Sequence, residues 1–476
     1  MKSINVIHSS VVSLIVRYQN KSITFRDSFN ILPSSLRKLT NDFNVEHKKL
    51  ELDYEAGADD PRLKEYLEND LKGLHEVLMC AIELTDKLTI ASNSMNVFLK
   101  KFYMRYPRGN YVKFDNVFRN AYYGGRVEIF KMVGKDLKYY DVNSLYPYVM
   151  HKYSYPLIDC KNYQYTSDYI KGRLGIYNIS AIAPPNLHIP VLPFRLKTKL
   201  IFPVGRVGGW YHSPEIEKAV EVGYKVNVHY GYVFKETDYI FRNFVEHYYK
   251  IKKEAKGSRR EIAKLYLNSL YGKFGQKREQ DVYEVKPHSD YNYKGTEVIY
   301  PFAKFGIHKK KKFLTYDRYI HSEIAGLITS YARLELYSLF EKAGAQNVYY
   351  CDTDSVITSS ELPESPELGG LKKEADIDNF IAVSPKVYAY TENGKEHIKA
   401  KGISSKNLKY QNFKDAIEKK DLSAFISEFE RLTTFKEKNI RKFSNYSDKI
   451  KVKKMLRSFY DKRIITSSYD TKPLHV

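Results

Sequence analysis

Two short segments, far apart in the chain, each place aspartates at the end of a β-like run. The first segment, LKYYDVNSLYP, carries Asp141 directly before a tight turn and the start of a helix. The second, VYYCDTDS, carries Asp352 and Asp354 at a strand-turn-strand, and their spacing makes both side chains project to the same side of the chain. A carboxylate at the end of such a run is held rigidly and faces outward.

Paired carboxylates of this kind predict a site for divalent cations. Two like charges that lie close together repel each other, and a bound cation removes this penalty. Two ions about 4 Å apart can activate an attacking hydroxyl and stabilise the leaving pyrophosphate of an in-line phosphoryl transfer. An isolated aspartate in a turn is usually only a turn or helix cap, so the pairing of the two segments carries this prediction.

The charge of the chain favours a polyanionic partner. The 78 Lys and Arg against 56 Asp and Glu leave a net charge of +22, which is typical of proteins that bind nucleic acid but also of merely basic proteins. The 43 Tyr and 25 Phe could supply rings on which bases stack, although most aromatic side chains in any protein belong to its core. Charge and composition therefore permit nucleic-acid binding without deciding it.

Length and cysteine usage narrow the class further. A chain of 476 residues is too long for one compact core and suggests about three globular units. Cys80, Cys160 and Cys351 are widely spaced and form no CxxC pair, so neither a disulfide framework nor a zinc site is indicated. The longest apolar run near the start is far too short to span a membrane.

Turn residues and hydrophobic periodicity give a coarse secondary structure. Helical spacing extends over residues 61–101, and the Pro- and Gly-rich stretch 155–235 contains short β-rich runs. A break at Gly257 divides the segment from Thr237 to Phe274 into a helical hairpin. The remaining expectations are a helix over Ser322–Ala343, a strand around Val348–Tyr350 and mostly helical structure in the last seventy residues.

The second arm of this hairpin carries a polar stripe. In the sequence KLYLNSLYG, preceded by Arg260, the residues Arg260, Lys264, Asn268 and Tyr271 share one helix face. Such a stripe can neutralise a triphosphate, while Tyr271 with the backbone near Gly272 can abut a base pair. Without flanking motifs, a basic helix face is usually only solvated.

The segments DxxSLYP, KxxxNSxYG and YxDTDS resemble motifs A, B and C of family B DNA polymerases. This resemblance implies that Asp141 and Asp354 are the firm metal ligands and that Asp352 has a supporting role. The backbone carbonyl of Val142 is the matching position for an additional ligand. The cofactor implied is a pair of Mg²⁺ ions, for which Mn²⁺ could substitute.

Other positions carry over from the same resemblance. Tyr146 matches the residue that packs under the sugar and excludes a 2′-hydroxyl, and Lys252 matches a second phosphate contact. Tyr122–Gly125 is similar to the YxGG motif of protein-primed members, and Lys386–Tyr388 to the KxY motif that holds the primer end. Nucleotide contacts are implied for Tyr146, Lys252, Arg260, Lys264, Asn268 and Tyr271, and DNA contacts for Tyr122, Gly124, Gly125, Ser144, Gly272, Arg333, Thr353, Lys386, Tyr388 and Lys399.

Two insertions between the motifs resemble those of polymerases primed by a terminal protein, as in certain phages and linear mitochondrial plasmids. The implied fold is a multidomain α+β right-hand polymerase, and the implied partners are primer-template DNA, dNTPs and a terminal protein, with no membrane. The expected divisions are an exonuclease remnant (1–105), the first part of the palm (106–153), a first insertion (154–235), the fingers (236–275), a second, short and ill-defined insertion (276–320), the second part of the palm (321–405) and a thumb (406–476).

The proofreading exonuclease of the family needs acidic residues from three motifs, and only the third is present. It is the segment YLEND, in which Tyr66 and Asp70 face together on a helix. The resemblance thus enters the family in the middle of a domain. We expect a truncated or mis-started sequence without proofreading.

Two other functional classes are compatible with parts of the sequence. A reverse transcriptase also uses paired aspartates, but its YxDD pattern is absent and it leaves NSxYG unexplained. A catalytically impaired DNA-binding fragment could keep the basic surface and the helical hairpin, although the intact aspartates and Lys264 argue against it. The expected location is a mitochondrion or the cytoplasm of a phage host.

Overall fold

The computed structural model describes residues 3–7, 10–19, 21–51, 62–81, 87–105, 107–109, 112–287, 297–301, 305–314, 319–432, 449–456 and 458–476. They fall into two compact units. The first contains the described residues up to Pro107 and those of Ile240–Ile320. The second contains those of Arg108–Tyr239, His321–Leu432 and Ser447–Val476.

Helices and antiparallel sheets alternate along the described chain, which confirms the predicted α+β class. The helices are α1 (Leu36–Asp42), α2 (Arg62–Cys80), α3 (Ile90–Val97), α4 (Val112–Asn120), α5 (Leu145–Lys152), α6 (Ser213–Glu221), α7 (Arg242–Glu254), α8 (Gly257–Phe274), α9 (Ser322–Ala343) and α10 (Tyr410–Lys419). The strands are β1 (Ser3–Ile7), β2 (Ser10–Tyr18), β3 (Lys21–Arg26), β4 (Val127–Ile129), β5 (Val133–Val142), β6 (Tyr155–Pro156), β7 (Tyr163–Thr166), β8 (Gly175–Ala183), β9 (Phe194–Leu196), β10 (Lys199–Ile201), β11 (Gly205–His212), β12 (Lys225–Phe234), β13 (Thr237–Asp238), β14 (Glu279–Pro287), β15 (Glu297–Pro301), β16 (Phe305–Phe313), β17 (Val348–Asp352), β18 (Ser355–Thr358), β19 (Leu371–Ser384), β20 (Val387–Glu392), β21 (Lys395–Ala400), β22 (Ile426–Leu432), β23 (Lys449–Met455), β24 (Arg463–Ile465) and β25 (Thr471–Pro473).

The second unit is built on a seven-stranded sheet in the order β21-β20-β19-β5-β18-β17-β4. All neighbouring strands are antiparallel. A core of aliphatic and aromatic side chains, including Leu137, Tyr350 and Phe380, packs against the sheet together with α10. The helix α9 matches its predicted bounds and is buried over most of its length, because apolar and small residues occupy nearly every position.

A smaller four-stranded antiparallel sheet, in the order β11-β8-β12-β7, lies in the same unit and occupies most of the predicted first insertion. The β-rich runs expected from sequence are confirmed as β8 and β12. The helix α6 packs on this sheet, and the short strands β6 and β13 pair where the segment begins and ends. This pairing brings the two ends of the segment together.

In the first unit, α7 and α8 form the predicted helical hairpin. The link between them turns at Gly257, whose φ of +58° is a left-handed conformation that glycine adopts without strain. The Ser258 hydroxyl donates a hydrogen bond of 2.5 Å to the Asp42 carboxylate at the end of α1. The Ser94 hydroxyl of α3 likewise donates to the Tyr266 carbonyl at 2.8 Å, so the hairpin is anchored to the N-terminal helices.

The predicted second insertion is better ordered than its sequence indicates. Its strands β14, β15 and β16 join the first three strands of the chain in one sheet, in the order β15-β16-β14-β1-β2-β3. Ile4 of β1 pairs with Tyr283 of β14. Residues of the segment that fall in 288–296, 302–304 and 315–318 lie outside the described residues.

The prediction of a mostly helical C-terminal segment is wrong. Within its described part, α10 is followed by two β-hairpins, β22–β23 and β24–β25. The sequence KIKVKKM of β23 alternates basic and apolar residues with the period of a strand, and Lys453 forms a cross-strand ion pair of 3.3 Å with Glu428. Its lysine content had suggested helix, but its periodicity belongs to a sheet.

The single helical stretch expected over residues 61–101 is also divided. The structure has α2, then α3, which continues into a π-helical turn over Phe98–Phe102. Residues 82–86 lie outside the described part. None of the helices within the described ranges is long and apolar enough to cross a membrane.

Candidate active site

Adjacent strands bring the three predicted aspartates to one end of the seven-stranded sheet. Asp141 precedes the last residue of β5, and its pairing partner in β18 is Ser355. The Val142 amide donates to the Asp354 carbonyl at 2.7 Å, and the Asp354 amide donates to the Asp352 carbonyl at 2.6 Å. Motif A and motif C are thus joined by backbone hydrogen bonds, although about two hundred residues separate them in sequence.

Both turns that follow these strands contain a residue in the left-handed conformation. Ser144, within motif A, has φ +59°, and Thr353, between the two motif C aspartates, has φ +61°. Residues other than glycine rarely adopt such angles, so neighbouring groups must hold them there. The Thr353 amide is held by a hydrogen bond of 2.8 Å to the Arg126 carbonyl.

The Asp354 carboxylate lies in surroundings that oppose its negative charge. Burial raises the pKa of this carboxyl above its ordinary value, and the charge of Asp352 acts in the same direction. A divalent cation would relieve both effects, and carboxylate oxygens are the ligands that Mg²⁺ and Mn²⁺ prefer. Asp141, Asp354 and the Val142 carbonyl therefore fit a metal site.

Asp352 is engaged by protein groups instead. The Lys386 ammonium contacts Oδ1 of Asp352, to which the Thr353 hydroxyl also donates at 3.2 Å. The Tyr350 hydroxyl reaches Oδ2 at 3.4 Å. This pairing agrees with the supporting role that the sequence implied for Asp352.

The lysine and the tyrosine of the KxY segment have different surroundings. Lys386 lies at the site, and Tyr388 lies beneath it. Lys386 has φ +64°, and its amide donates to the Tyr350 hydroxyl at 3.0 Å. Tyr388 was expected to contact DNA, but it is only 5 % exposed and is hydrogen-bonded to Tyr139. Tyr388 therefore supports the floor of the site, whereas Lys399, its exposed partner in β21, remains accessible.

The expectation that Arg333 contacts DNA is wrong for the same reason. Its side chain is 4 % exposed, because it lies under the YxGG loop and donates at 2.8 Å to the carbonyls of both Tyr123 and Gly124. Thr329, one helical turn before Arg333, is also buried and donates to the Tyr123 carbonyl at 2.6 Å. Both side chains hold the loop and are turned away from solvent.

The glycines of this loop lie close to both motifs. A Cβ atom at Gly125 would be 2.9 Å from Cγ2 of Thr353 and 3.2 Å from the hydroxyl oxygen of Tyr146. Only glycine leaves room for this approach. Gly124 is exposed and Tyr122 is half-buried, so the outer side of the loop is open to a partner.

The predicted stripe on α8, in the first unit, is exposed. Arg260, Lys264, Asn268 and Gly272 are accessible, and Tyr271 is half-buried. The opposite face of the helix is apolar and buried, and it includes Ile262, Tyr266, Leu267 and Leu270. Lys252 of α7 is half-buried, and its ammonium lies 5.4 Å from the centroid of the Tyr249 ring.

Comparisons with known proteins decide the family. The sequence family described as DNA polymerase type B, organellar and viral, matches residues 2–63 and 60–325, more than half of the chain. The chain belongs to this family. This membership agrees with the family that the three motifs had indicated.

Its relatives include fungal and phage proteins. A probable DNA polymerase of Podospora anserina is 29 % identical over 513 residues, which cover 85 % of this chain and 42 % of that protein. The DNA-directed DNA polymerase of Enterobacteria phage PRD1 is 30 % identical over 416 residues, covering 80 % of this chain and 69 % of the relative. The chain spans 40–49 % of the length of the relatives from Podospora anserina, Neurospora intermedia and Ascobolus immersus.

The fold is that of Phi29 DNA polymerase. The structure of that enzyme with primer-template DNA and incoming nucleotide matches with a TM-score of 0.70 at 21 % identity, covering 94 % of this chain and 82 % of that one. Its binary complex with primer-template DNA gives a TM-score of 0.69 at the same identity. Polymerases of this family generally use divalent metal ions, which agrees with the donor set around Asp354.

In this member of the type B family, a lysine engages the exonuclease-like pair Tyr66 and Asp70. Both residues lie on α2, and the Lys49 ammonium contacts the Tyr66 hydroxyl and Oδ2 of Asp70. Burial acts to lower the pKa of Lys49, but the hydrogen bonds that its ammonium donates to Asp70 and Tyr66 outweigh this effect and raise that pKa. The charged ammonium of Lys49 thus already compensates the carboxylate of Asp70.

Sequence motifs did not reveal several residues that shape the candidate site. Arg195 and Glu215 of the first insertion act on the YxGG loop, directly or through Arg333. Arg126 and Glu128 form a buried ion pair beside motif C. These residues have no motif of their own, and their partners lie far away in sequence, so no local pattern marks them.

Proposed function

We propose that this chain is a DNA-directed DNA polymerase that transfers nucleotides from dNTPs to a primer 3′-hydroxyl. One observation carries the proposal: Asp141 lies on β5, the neighbouring Val142 amide donates to the Asp354 carbonyl, and the half-buried Asp354 carboxylate lies where a cation would offset its charge. The net charge of +22 supports a nucleic-acid substrate. The Phi29 enzyme, which has this fold, was solved with primer-template DNA and incoming nucleotide.

The metal proposed is Mg²⁺, as two ions, with Mn²⁺ as a possible substitute. Asp141 and Asp354 would hold them with the Val142 carbonyl, and the bound ions would lower the pKa of the primer hydroxyl and neutralise the leaving pyrophosphate. The protein fixes the two carboxylates through the β5–β18 ladder. Lys386 neutralises Asp352, so that the charge beside Asp354 is reduced.

Nucleotide binding is assigned to two groups of residues. Arg260, Lys264, Asn268 and Tyr271 form an exposed stripe suited to a triphosphate, with Lys252 as a further phosphate contact. Tyr146 is assigned to the sugar, because its hydroxyl lies beside Gly125 and leaves little free space there. This crowding favours deoxynucleotides over ribonucleotides.

DNA contacts are proposed for the accessible members of the predicted set. These are Tyr122, Gly124, Gly125, Ser144, Gly272, Thr353, Lys386 and Lys399. We propose a terminal protein as the primer, with the first insertion as its contact region and residues 406–476 as a thumb. The support is the family membership and the insertion sheet closed by β6 and β13.

We also propose that the chain does not proofread. The support is Lys49, which occupies the position between Tyr66 and Asp70 that a catalytic cation would need. The test is the excision of a mismatched primer end. Excision by the purified chain that Asp70→Ala abolishes would contradict the proposal.

The location proposed is an organelle, with the mitochondrion as first choice, or the cytoplasm of a phage-infected cell. The support is the family, whose members are organellar and viral. Antibody detection in fractionated source cells tests this. Recovery only in the nuclear fraction would overturn it.

A primer-extension assay tests the main proposal. The purified chain, a labelled primer on a longer template, dNTPs and MgCl₂ should give elongated products, and EDTA should abolish them. Asp354→Ala should lower the rate at least about 1000-fold. Asp378→Asn, which changes an exposed aspartate of the same sheet, should behave as wild type.

The same experiment separates an impaired fragment from an active enzyme. If the wild-type chain binds primer-template DNA but extends no primer with Mg²⁺ or Mn²⁺, the chain is a DNA-binding fragment of a polymerase. Extension that survives Asp354→Ala would place the active centre elsewhere.

A further inference from the structure

Arginine side chains hold four carbonyls of the YxGG loop and the segment just before it. Arg195 donates to the Asn120 carbonyl at 2.8 Å and also to the Tyr122 carbonyl. Arg333 donates to the carbonyls of Tyr123 and Gly124, both at 2.8 Å. Two guanidinium groups thus fix four carbonyls of one short loop, and the planar geometry of arginine suits such paired contacts.

The first insertion supplies Arg195 itself and the partner of Arg333, which lies on α9. Arg195 belongs to β9, and its guanidinium carbon lies 4.2 Å from the centroid of the Tyr123 ring. Tyr123 in turn stacks on Tyr211 of β11, with centroids 5.6 Å apart. Glu215 of α6 anchors Arg333, accepting from Nε at 3.0 Å and from Nη2 at 2.7 Å.

The YxGG loop that these arginines hold contacts both motif A and motif C of the candidate active site. Gly125 faces the Thr353 side chain of motif C and the Tyr146 hydroxyl of motif A. The next carbonyl, that of Arg126, accepts from the amide of Thr353 at 2.8 Å. A displacement of this loop would therefore move the strained turn of motif C and open space beside Tyr146.

We propose that Arg195 and the Glu215–Arg333 pair are positioning residues, through which the first insertion sets the shape of the sugar pocket. This proposal rests on the proposed polymerase function. Nucleotide selection should then depend on an arginine that lies on the insertion and outside motifs A, B and C. Any change that pulls β9 away from the loop should relax the discrimination against ribonucleotides.

Arg195 is the residue to test, because it is exposed, whereas loss of Arg333 would leave Glu215 buried without its charge partner. The variants are Arg195→Ala and Arg195→Lys, with Arg173→Ala as an exposed arginine of the same insertion for control. Lysine can donate to one carbonyl but cannot reproduce the paired geometry. It should therefore recover only part of the wild-type behaviour.

The first readout is amide hydrogen exchange, which needs no activity. The peptide covering residues 120–126 should exchange about tenfold faster in Arg195→Ala than in wild type or Arg173→Ala. Unchanged protection would overturn the proposal. This readout decides whether Arg195 holds the loop even if the wild-type chain extends no primer. A lack of primer extension by the wild-type chain would count against the proposed function instead.

The second readout is the ratio of kcat/KM for a dNTP to that for the matching rNTP. Arg195→Ala should lower this ratio by about five- to tenfold, with a larger change in KM than in kcat, and Arg195→Lys should restore part of it. A uniform loss of kcat with an unchanged ratio would indicate a merely structural role. That result would also overturn the proposal.

Discussion

Tyr146 owes its proposed selectivity to crowding at a single point. Its hydroxyl oxygen lies 3.2 Å from the position of a Cβ atom at Gly125, so the space beside the ring is already occupied by backbone. Tyr146→Ala should raise kcat/KM for ribonucleotides by about 100-fold or more relative to deoxynucleotides. Single-nucleotide incorporation measures this, with Tyr148→Ala on the same helix as control. Unchanged sugar discrimination would remove Tyr146 from this role.

His212 should make the fold sensitive to acid. Complete burial, together with the positive charge of Arg333, lowers its pKa to about 3, so the ring is neutral although Nδ1 lies 4.0 Å from the Glu215 carboxylate. The unfolded chain keeps the ordinary pKa near 6.5 and binds the additional proton between these values. The stability contributed by the neutral ring is therefore present above pH 6.5 and is lost as the pH falls toward 3.

A leucine in place of His212 should reduce the loss of stability at low pH. His212→Leu should lose less unfolding free energy than wild type between pH 7.5 and pH 5, because no buried imidazole has to be protonated. Urea denaturation at the two pH values measures the difference, and the exposed His229→Leu is the control. Equal acid sensitivity of His212→Leu and wild type would rule out this explanation.

At the scale of elements, the C-terminal hairpin β24–β25 supports the floor of motif C. Arg463 of β24 is 2 % exposed and lies with Nη1 3.7 Å from the carboxylate of Glu128, which also pairs with Arg126. Glu128 of β4 pairs with Cys351 of β17, and Cys351 directly precedes Asp352. A hairpin near the end of the chain is thus tied to the strand that carries the site.

Removal of the Arg463 charge should lower the stability of the fold. Arg463→Met leaves the Glu128 carboxylate buried with less compensation and should lower the unfolding free energy by about 3–5 kcal/mol. Lys472→Met, an exposed change in the same hairpin, should have little effect. Chemical denaturation measures both variants. A loss below about 1 kcal/mol for Arg463→Met would show that the hairpin does not depend on this charge.

At the scale of the whole molecule, the sequence predicted the features that have strong local signals. The aspartates of motifs A and C lie at strand ends, and α9 has its predicted bounds, because alternation, turn residues and helical period are visible in short windows. The exposed stripe on α8 follows from the same periodicity. The family resemblance added the ranking of Asp141 and Asp354 above Asp352.

Features that depend on distant contacts could not be predicted in this way. Arg333 and Tyr388 stand in basic or motif-like sequence, yet partners from other segments bury them. The strands β22 and β23 stabilise each other across a segment of more than ten residues, so lysine-rich composition alone suggested helix. Arg195 has no pattern at all, because its role is defined by the loop that it contacts.

The charge of the whole chain predicts a salt-dependent affinity for DNA. With a net charge of +22, binding should release counterions from several phosphates, so log Kd against log salt concentration should have a slope of about 4 or more. Fluorescence anisotropy with labelled primer-template DNA between 50 and 300 mM NaCl measures the slope. A slope near zero would mean that phosphate contacts contribute little.

The central claim is that Asp141 and Asp354 hold the catalytic metal ions, with Asp352 in support. Single-turnover incorporation of one dNTP, measured for Asp141→Asn, Asp352→Asn and Asp354→Asn, tests it most directly. Asp141→Asn and Asp354→Asn should each lower the rate at least about 1000-fold, and Asp352→Asn by only about tenfold, because Lys386 already engages that carboxylate. A rate within tenfold of wild type for Asp141→Asn or Asp354→Asn would contradict the claim.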